Sequence, residues 1–434
     1  MSYKAIVTPI INIREHPNAS RLVLGTAAGS QVIVSTDTTE GTLGIFFSEG
    51  GQLSLELTKQ NNLHRHSELN ANPESKAGFF DDNRRVRAQK LRKEMSMGFW
   101  TDLSVLEWTG YDVSKLKKGD LINELNHHPI CNKYYTPATR KIMSQGGKKG
   151  KLSKKIQLKA AYPQFCEHYS TQKLRMMVDM IPNGAILSIS EKCHGTSART
   201  GHLPEEKKLN WFQKIWNKIL GEKFQASKYK YISGSRRVVL NPKISEDNGF
   251  YSGKQFRNII HNKIKETELA QGETLYYEII GYSEDGGLIM GSHSINDSKL
   301  KKKYGNKMVY KYGCNKGTYK TVIYRITQTS PDGRTIELSW TQLISRCREL
   351  GLDLVPQIKE PFIYDGDSEK LLTMCEQLSQ GSSILDDDHI REGVVVKVEA
   401  PNVNTCYKYK SWHFCEMENI SKNTDDFIDL EDIS

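Results

Sequence analysis

Twenty consecutive residues, Arg140–Lys159, carry eight cations and no acid, with Gly146, Gly147 and Gly150 among them. A stretch of this kind repels itself and has few apolar side chains, so it lies between cores rather than inside one. It therefore divides the 434-residue chain into an N-terminal unit, residues 1–139, a basic linker, 140–161, and a C-terminal unit, 162–434. With 37% hydrophobic residues each unit can bury a core, which excludes a disordered chain.

The two units differ in period. Before Trp100 the apolar runs are short and extended: Ala5–Ile11, Leu22–Thr26, Gln31–Ser35, Leu43–Phe47 and Val86–Leu91, broken by turn signals such as His16-Pro17-Asn18 and Gly50-Gly51. Five short strands imply a small all-β barrel. The polar stretch Gln60–Lys76 reads as a loop. After it, Arg84, Arg85, Arg87, Lys90 and Arg92 lie along the next strand, where they either face a phosphate backbone or form a solvated outer wall.

Beyond Tyr162 helices alternate with strands, giving an α+β unit. A helix capped by Ser170 carries Leu174, Met177, Val178 and Ile181 and stops at Pro182-Asn183-Gly184; Ala185–Ser190 follows as a strand. Leu209, Phe212, Ile215, Trp216 and Ile219 have helical spacing and read as core packing in preference to a base-stacking surface. Helices Trp340–Leu350 and Asp367–Ser379 separate strands Lys320–Thr327 and Val394–Glu399. The tail, with Asp425, Asp426, Asp429, Glu431 and Asp432, reads as an acidic surface segment.

Some classes fall away. No run approaches the ~18 apolar residues that span a bilayer, and the first twenty residues lack the pattern of an export signal, so no membrane partner is expected. The eight cysteines are scattered without a C-x-x-C pair, which argues against a zinc site or disulfide framework and for a reducing cytoplasm. A net charge of +10 favours a polyanionic partner without naming it.

The chemistry gathers after the strand Ala185–Ser190, in Glu191-Lys192-Cys193-His194-Gly195-Thr196-Ser197. A lysine at a strand end is held at a fixed place. K-x-[DH]-G alone is short enough to arise by chance, but a set of partners follows in order: Ser235-Arg236, Tyr277-Glu278, Tyr324, Glu392-Gly393 and Lys408-Tyr409-Lys410. In this order the sequence resembles the covalent nucleotidyltransferases, namely DNA ligases, RNA ligases and capping enzymes, across Tyr162–Phe414. The histidine in E-K-x-H-G-T is similar to the nick-sealing and editing-type RNA ligases. His16-Pro17-Asn18-Ala19-Ser20-Arg21-Leu22, with Gly78-Phe79-Phe80 and Arg85–Arg92, resembles the N-terminal OB domain of RNA ligase family 5.

The resemblance implies an OB-fold barrel followed by an ATP-grasp-like nucleotidyltransferase domain of antiparallel sheets with flanking helices. It implies that Lys192 takes AMP from ATP, and that Glu278 and Glu392 serve the ribose hydroxyls and a hydrated Mg²⁺, with Mn²⁺ as the alternative metal. In the same reading Glu191 reads the adenine edge, Tyr324 stacks on the purine, and His194 and Gly195 complete the motif. The family carries an acid after that aromatic, where this chain has Arg325.

Elementary chemistry adds roles of its own. An amine with a reference pKa of ~10.4 is overwhelmingly protonated at neutral pH, so Lys192 needs nearby positive charge to attack. Lys408 and Lys410, two apart on a strand and on one face, supply it and can bind the α-phosphate. Arg236 and Arg237 offer planar forks for phosphate or ribose.

The expected protein is a monomeric, ATP-dependent RNA ligase joining 5′-phosphate and 3′-hydroxyl ends. The rivals are a DNA ligase, a capping-type nucleotidyltransferase, and a noncatalytic RNA-binding protein in which only the barrel acts.

Overall fold

The computed structural model describes residues 3–75, 78–137, 139–141, 162–169, 171–206, 211–220, 227–236, 238–240, 256–400 and 405–421. Most of the linker, the Ser170 cap, Arg237 and the acidic tail lie outside the described residues.

The N-terminal barrel is built on Ala5–Glu15. Its first half pairs with Leu43–Ser48 and its second half with Leu22–Ala27; within the second pairing the register shifts between Ile11 and Arg14, where Asn12 takes φ +55°. That irregularity bends one strand across both walls. Numbering the long strands in chain order, the sheet runs 3-2-1-4-5, with Ser30–Ser35 as the third and Glu94–Asp102 as the fifth. Its two ends meet where Gln31 Nε2 donates to Met95 O (2.8 Å) and the Ile33 amide to Ser96 Oγ (3.2 Å). The sheet thus curls into a small antiparallel barrel.

The sequence reading missed Glu94–Asp102, because Met95-Ser96-Met97-Gly98 lacks the branched residues that mark a strand. Residues 103–131 cover one end of the barrel: Val105, Leu106, Leu116, Ile122 and Ile130 share a core with Val7, Ile45 and Phe47.

The second unit holds two five-stranded sheets. One runs Gln172–Lys173, Cys406–Lys410, Gly393–Val398, Ile186–Lys192, Gln357–Ile363; the other runs Ser227–Ser235, Thr196–Glu206, Glu273–Gly281, Tyr319–Thr329, Thr335–Glu337. All pairings but the first are antiparallel. Helix Trp340–Leu350 starts at a Ser339 capping box and ends at Gly351 in the left-handed region, the two signals by which its bounds were readable. Asp367 caps Ser368–Ser379. The helix expected after Ser170 is one short turn, Leu174–Met177, extended by Val178–Met180.

The structure overturns the reading of the aromatic stripe. The helix Trp211–Leu220 lies between the two strands of a hairpin in the chain, with Trp211, Phe212, Ile215, Trp216 and Ile219 facing outward; Leu209 lies outside the described residues.

The barrel is pinned to the second unit. Lys173, in the edge strand beside Lys408, bonds Glu49 Oε1 (2.6 Å) and Glu49 O (2.8 Å), and Arg175 donates to Ser30 Oγ (3.2 Å).

Candidate active site

The chain crosses from one sheet to the other in three residues, Cys193–Gly195, between strand Ile186–Lys192 and strand Thr196–Glu206. Gly195 is required by close approach: a Cβ there would stand 2.5 Å from Ile279 O and 2.7 Å from Glu278 Cγ. Lys192 therefore sits at the seam between two rigid sheets, on the wall of a cleft.

Register decides which residues meet it. Gly393 pairs with Lys192 on one side and Lys410 on the other, while Val395 pairs with Lys408. A side chain at Gly393 would lie 2.1 Å from Tyr409 O, so the strands close only around glycine. Tyr409 takes the opposite face, buried with Leu174 and Leu187, as alternation requires.

Lys192, Lys408, Glu278, Tyr324 and Arg236 line one cavity of about 120 Å³, together with Cys193, Ser197, His168 and Trp340. Lys192, Glu278, Tyr324 and Lys408, each from a different strand, thus reach one place. The Tyr324 hydroxyl lies 2.8 Å from Ser197 Oγ, its ring meets His168 edge-on, and burial raises its pKa. Arg236 is positioned through its backbone: its carbonyl accepts from Arg199 (2.8 Å), whose guanidinium lies over Phe165. A cavity of about 630 Å³ between barrel and second unit contains none of these five residues.

Other expected residues stand beside the cavity. Glu392 is wholly buried, with Lys192 Nζ at 2.9 Å, Lys410 Nζ at 3.4 Å and His194 Nδ1 at 3.6 Å. Burial alone would raise its pKa, but Lys192, then Lys410 and His194, outweigh it and hold the carboxyl at about 2. Lys410 also bonds Glu418 (2.9 Å). The His194 ring packs among Tyr310, Phe414 and His293. Glu191, by contrast, is among the residues lining the cavity; its carboxylate accepts from the Ile384 amide (2.8 Å), and burial raises its pKa.

Arg325 was the mismatch in the sequence, and the structure gives it a task. Its guanidinium lies between the rings of Tyr169 (4.6 Å) and Tyr276 (4.5 Å), and its Nε bonds Glu337 (2.7 Å), which also faces Lys397 (3.5 Å). This buried group floors the cavity beside Tyr324. Its members come from separate strands, so spacing carries no signal of it.

The carboxylates also decide what a metal could use. Among the described residues no three His, Cys, Asp or Glu side chains stand together as a metal cage. Mg²⁺ keeps waters and phosphate oxygens and needs only one or two carboxylates. Glu278, on the cavity wall, fits that use; Glu392 is engaged as counter-ion to two lysines.

The basic run of the barrel is divided. Arg84 Nε donates to Leu53 O (3.2 Å), buried Arg85 lies over Tyr134 (4.9 Å), and Arg87 pairs with Asp81. Lys90 and Arg92 are exposed on a hairpin, whose tip is held by His16 Nε2 near Leu91 O (3.3 Å) and by Asn18 donating to Arg92 O (3.0 Å).

The family model for RNA ligase matches residues 186–410, more than half of the chain. The chain belongs to the RNA ligase family. No curated protein sequence matches it. Among solved structures, an RNA ligase of Naegleria gruberi with ATP and Mn is similar at TM-score 0.57 and 15% identity, over 96% of this chain and 98% of that one. The same enzyme with AMP and Mn matches at 0.57 and 13%, over 98% and 99%, and with pyrophosphate at 0.57 and 13%, over 95% and 97%. At this identity the likeness carries the fold, both units included. Among the described residues no helix is long and apolar enough to cross a membrane.

Proposed function

We propose that this RNA ligase is ATP-dependent and works through a covalent lysyl-AMP at Lys192, sealing a 5′-phosphate to a 3′-hydroxyl. The observation that carries the reading is the convergence of Lys192, Lys408, Glu278, Tyr324 and Arg236 on one cavity. The solved relatives with ATP, AMP and pyrophosphate support the same assignment.

In the resting arrangement Lys192 is an ammonium paired with Glu392, and its nitrogen has no lone pair to donate. Attack begins when that proton is lost. Nζ then bonds the α-phosphorus while the bond from phosphorus to the pyrophosphate oxygen breaks. Lys408 and Arg236 face the phosphates as fixed cations, which contribute most where charge builds up. Tyr324, held by Ser197, offers its face to the base.

An RNA 5′-phosphate oxygen next takes the AMP, breaking the P–N bond and restoring the amine. A 3′-hydroxyl then attacks the 5′-phosphorus and AMP leaves. Mg²⁺ held by Glu278 and phosphate oxygens would neutralise charge on the phosphates.

The test is labelling with α-³²P-ATP and Mg²⁺. The parent protein is expected to retain label after denaturation, and Lys192→Ala to retain none. Undiminished labelling of Lys192→Ala would remove Lys192 from the mechanism. The rival noncatalytic reading predicts no label on either protein.

A further inference from the structure

The helix Trp211–Leu220 reverses the usual amphipathic arrangement. Trp211 is 62% exposed, Phe212 56%, Ile215 44%, Trp216 52% and Ile219 69%, while Gln213 and Asn217, four residues apart, are half-buried and have partners. The polar side meets the protein and the apolar side meets solvent. A soluble domain rarely leaves such a patch without a use.

At about 100° per residue the five exposed apolar side chains span an arc of about 140°. Ile219 and Phe212 lie at its middle and Ile215 beside them, with Trp211 and Trp216 towards its two borders. Lys218 stands next to the Trp211 border. From 207 to 223 the sequence has Lys207, Lys208, Lys214, Lys218 and Lys223 against Glu222 alone.

We infer that this helix is a membrane-surface anchor that lies in the interface of an anionic lipid bilayer. Ile215, Ile219 and Phe212 at the centre suit the acyl region, indole rings at the borders suit the headgroup level, and flanking lysines suit acidic headgroups. The expectation of no membrane partner rested on the lack of a spanning run and of an export signal, and a helix lying on a surface needs neither.

A base-stacking platform would be made of ring faces throughout its centre, whereas here Ile215 and Ile219 share the centre with Phe212. A second copy is disfavoured because a ten-residue helix, about 15 Å long, offers far less than the ~800 Å² per partner of a stable interface. The hairpin carries the helix away from the chemistry: its strands stay paired from Ala198↔Ser235, near the cavity, to Glu206↔Ser227, about 27 Å of strand.

The experiment is vesicle flotation of the full chain, with tryptophan emission read in parallel. Vesicles are phosphatidylcholine alone or phosphatidylcholine with phosphatidylserine. The parent is expected to float with the anionic vesicles, with blue-shifted emission, and not with the neutral ones. Ile215→Asp with Ile219→Asp should weaken flotation by about tenfold or more, and Lys218→Glu by several-fold, each lost with added salt. Self-labelling by ATP should stay at the parental level in both, showing that the variants are folded and separating this inference from the proposed function.

The inference is overturned if the parent does not float, if neutral vesicles serve equally, or if the Ile variant floats as well as the parent. It is also overturned if that variant instead loses RNA affinity or a dimer, or if flotation needs removal of residues 422–434, which would make the acidic tail the helix's partner.

Discussion

The Lys192 cavity and the basic run of the barrel are both positive regions that the sequence marks as candidates, yet the fold uses them differently. Around Lys192, charges scattered from residue 192 to residue 410 come together, because paired strands fix which side chains share a face. In the barrel, cations that are adjacent in sequence are dispersed: Arg84, Arg85 and Arg87 hold a carbonyl, a ring and a carboxylate. Lys90 and Arg92, with Lys93 beside them, are the exposed cations of the run. Contiguity of charge is therefore weak evidence of a binding surface, whereas ordered spacing of single charges across strands is strong evidence of a site.

The largest expected effect would break the claim that Glu392 is a counter-ion. Glu392→Ala removes the carboxylate that Lys192 and Lys410 share, and removing one partner of a buried ion pair costs about 3–5 kcal/mol. Chemical denaturation should show that loss, and added Mg²⁺ should not restore it. The pH dependence has a definite sign. A carboxyl held at about 2 contributes fully above its ordinary value near ~4.5 and loses that contribution as pH falls from there towards 2. Glu392→Gln should remove that part of the acid dependence; an unaltered profile would show that Glu392 is not paired in solution.

Lys408 and Lys410 sharpen the comparison within the site. Lys408 lines the cavity, while Lys410 bonds Glu392 and Glu418 behind it. Lys408→Ala is expected to slow single-turnover adenylylation on the order of a hundredfold, ~3 kcal/mol, by removing a fixed cation from the developing charge, with little change in stability. Lys410→Ala should cost more stability and less rate. Equal rates for Lys408→Ala and the parent would end the phosphate-clamp role.

Much of this was legible because it depends on local rules. Lys192 at a strand end, glycine at 195, the face shared by Lys408 and Lys410, and the caps of Trp340–Leu350 all follow from alternation, sterics and capping. What escaped depends on pairings between distant segments. No spacing rule brings Glu337 to Arg325, or turns Glu392 inward to Lys192 while Glu278 lines the cavity. The exposed helix was misread for a related reason: period 3.6 tells that one face is apolar, and only the fold tells whether that face is covered. Arg84 to Lys93 was read as one strand, but Arg84, Arg92 and Lys93 have positive φ, and turns at those residues redirect their neighbours.

The smallest expected effect tests what remains of the barrel's basic run. Lys90 and Arg92 sit on a hairpin whose tip is tied down by His16 and Asn18, so their charges are presented from a fixed support. If they touch RNA phosphates, Lys90→Ala with Arg92→Ala should reduce the slope of log affinity against log salt by roughly 0.7 per contact on a single strand. RNA joining should fall several-fold at moderate salt while self-labelling by ATP stays unchanged, because ATP is held by the cavity and not by the barrel. Arg87→Ala provides the contrast. Its partner is Asp81, in a half-buried pair, so its loss should lower stability modestly and leave the salt slope where it was. If Arg87→Ala moves the slope and the Lys90, Arg92 double variant does not, the division of the basic run drawn from burial and pairing is wrong.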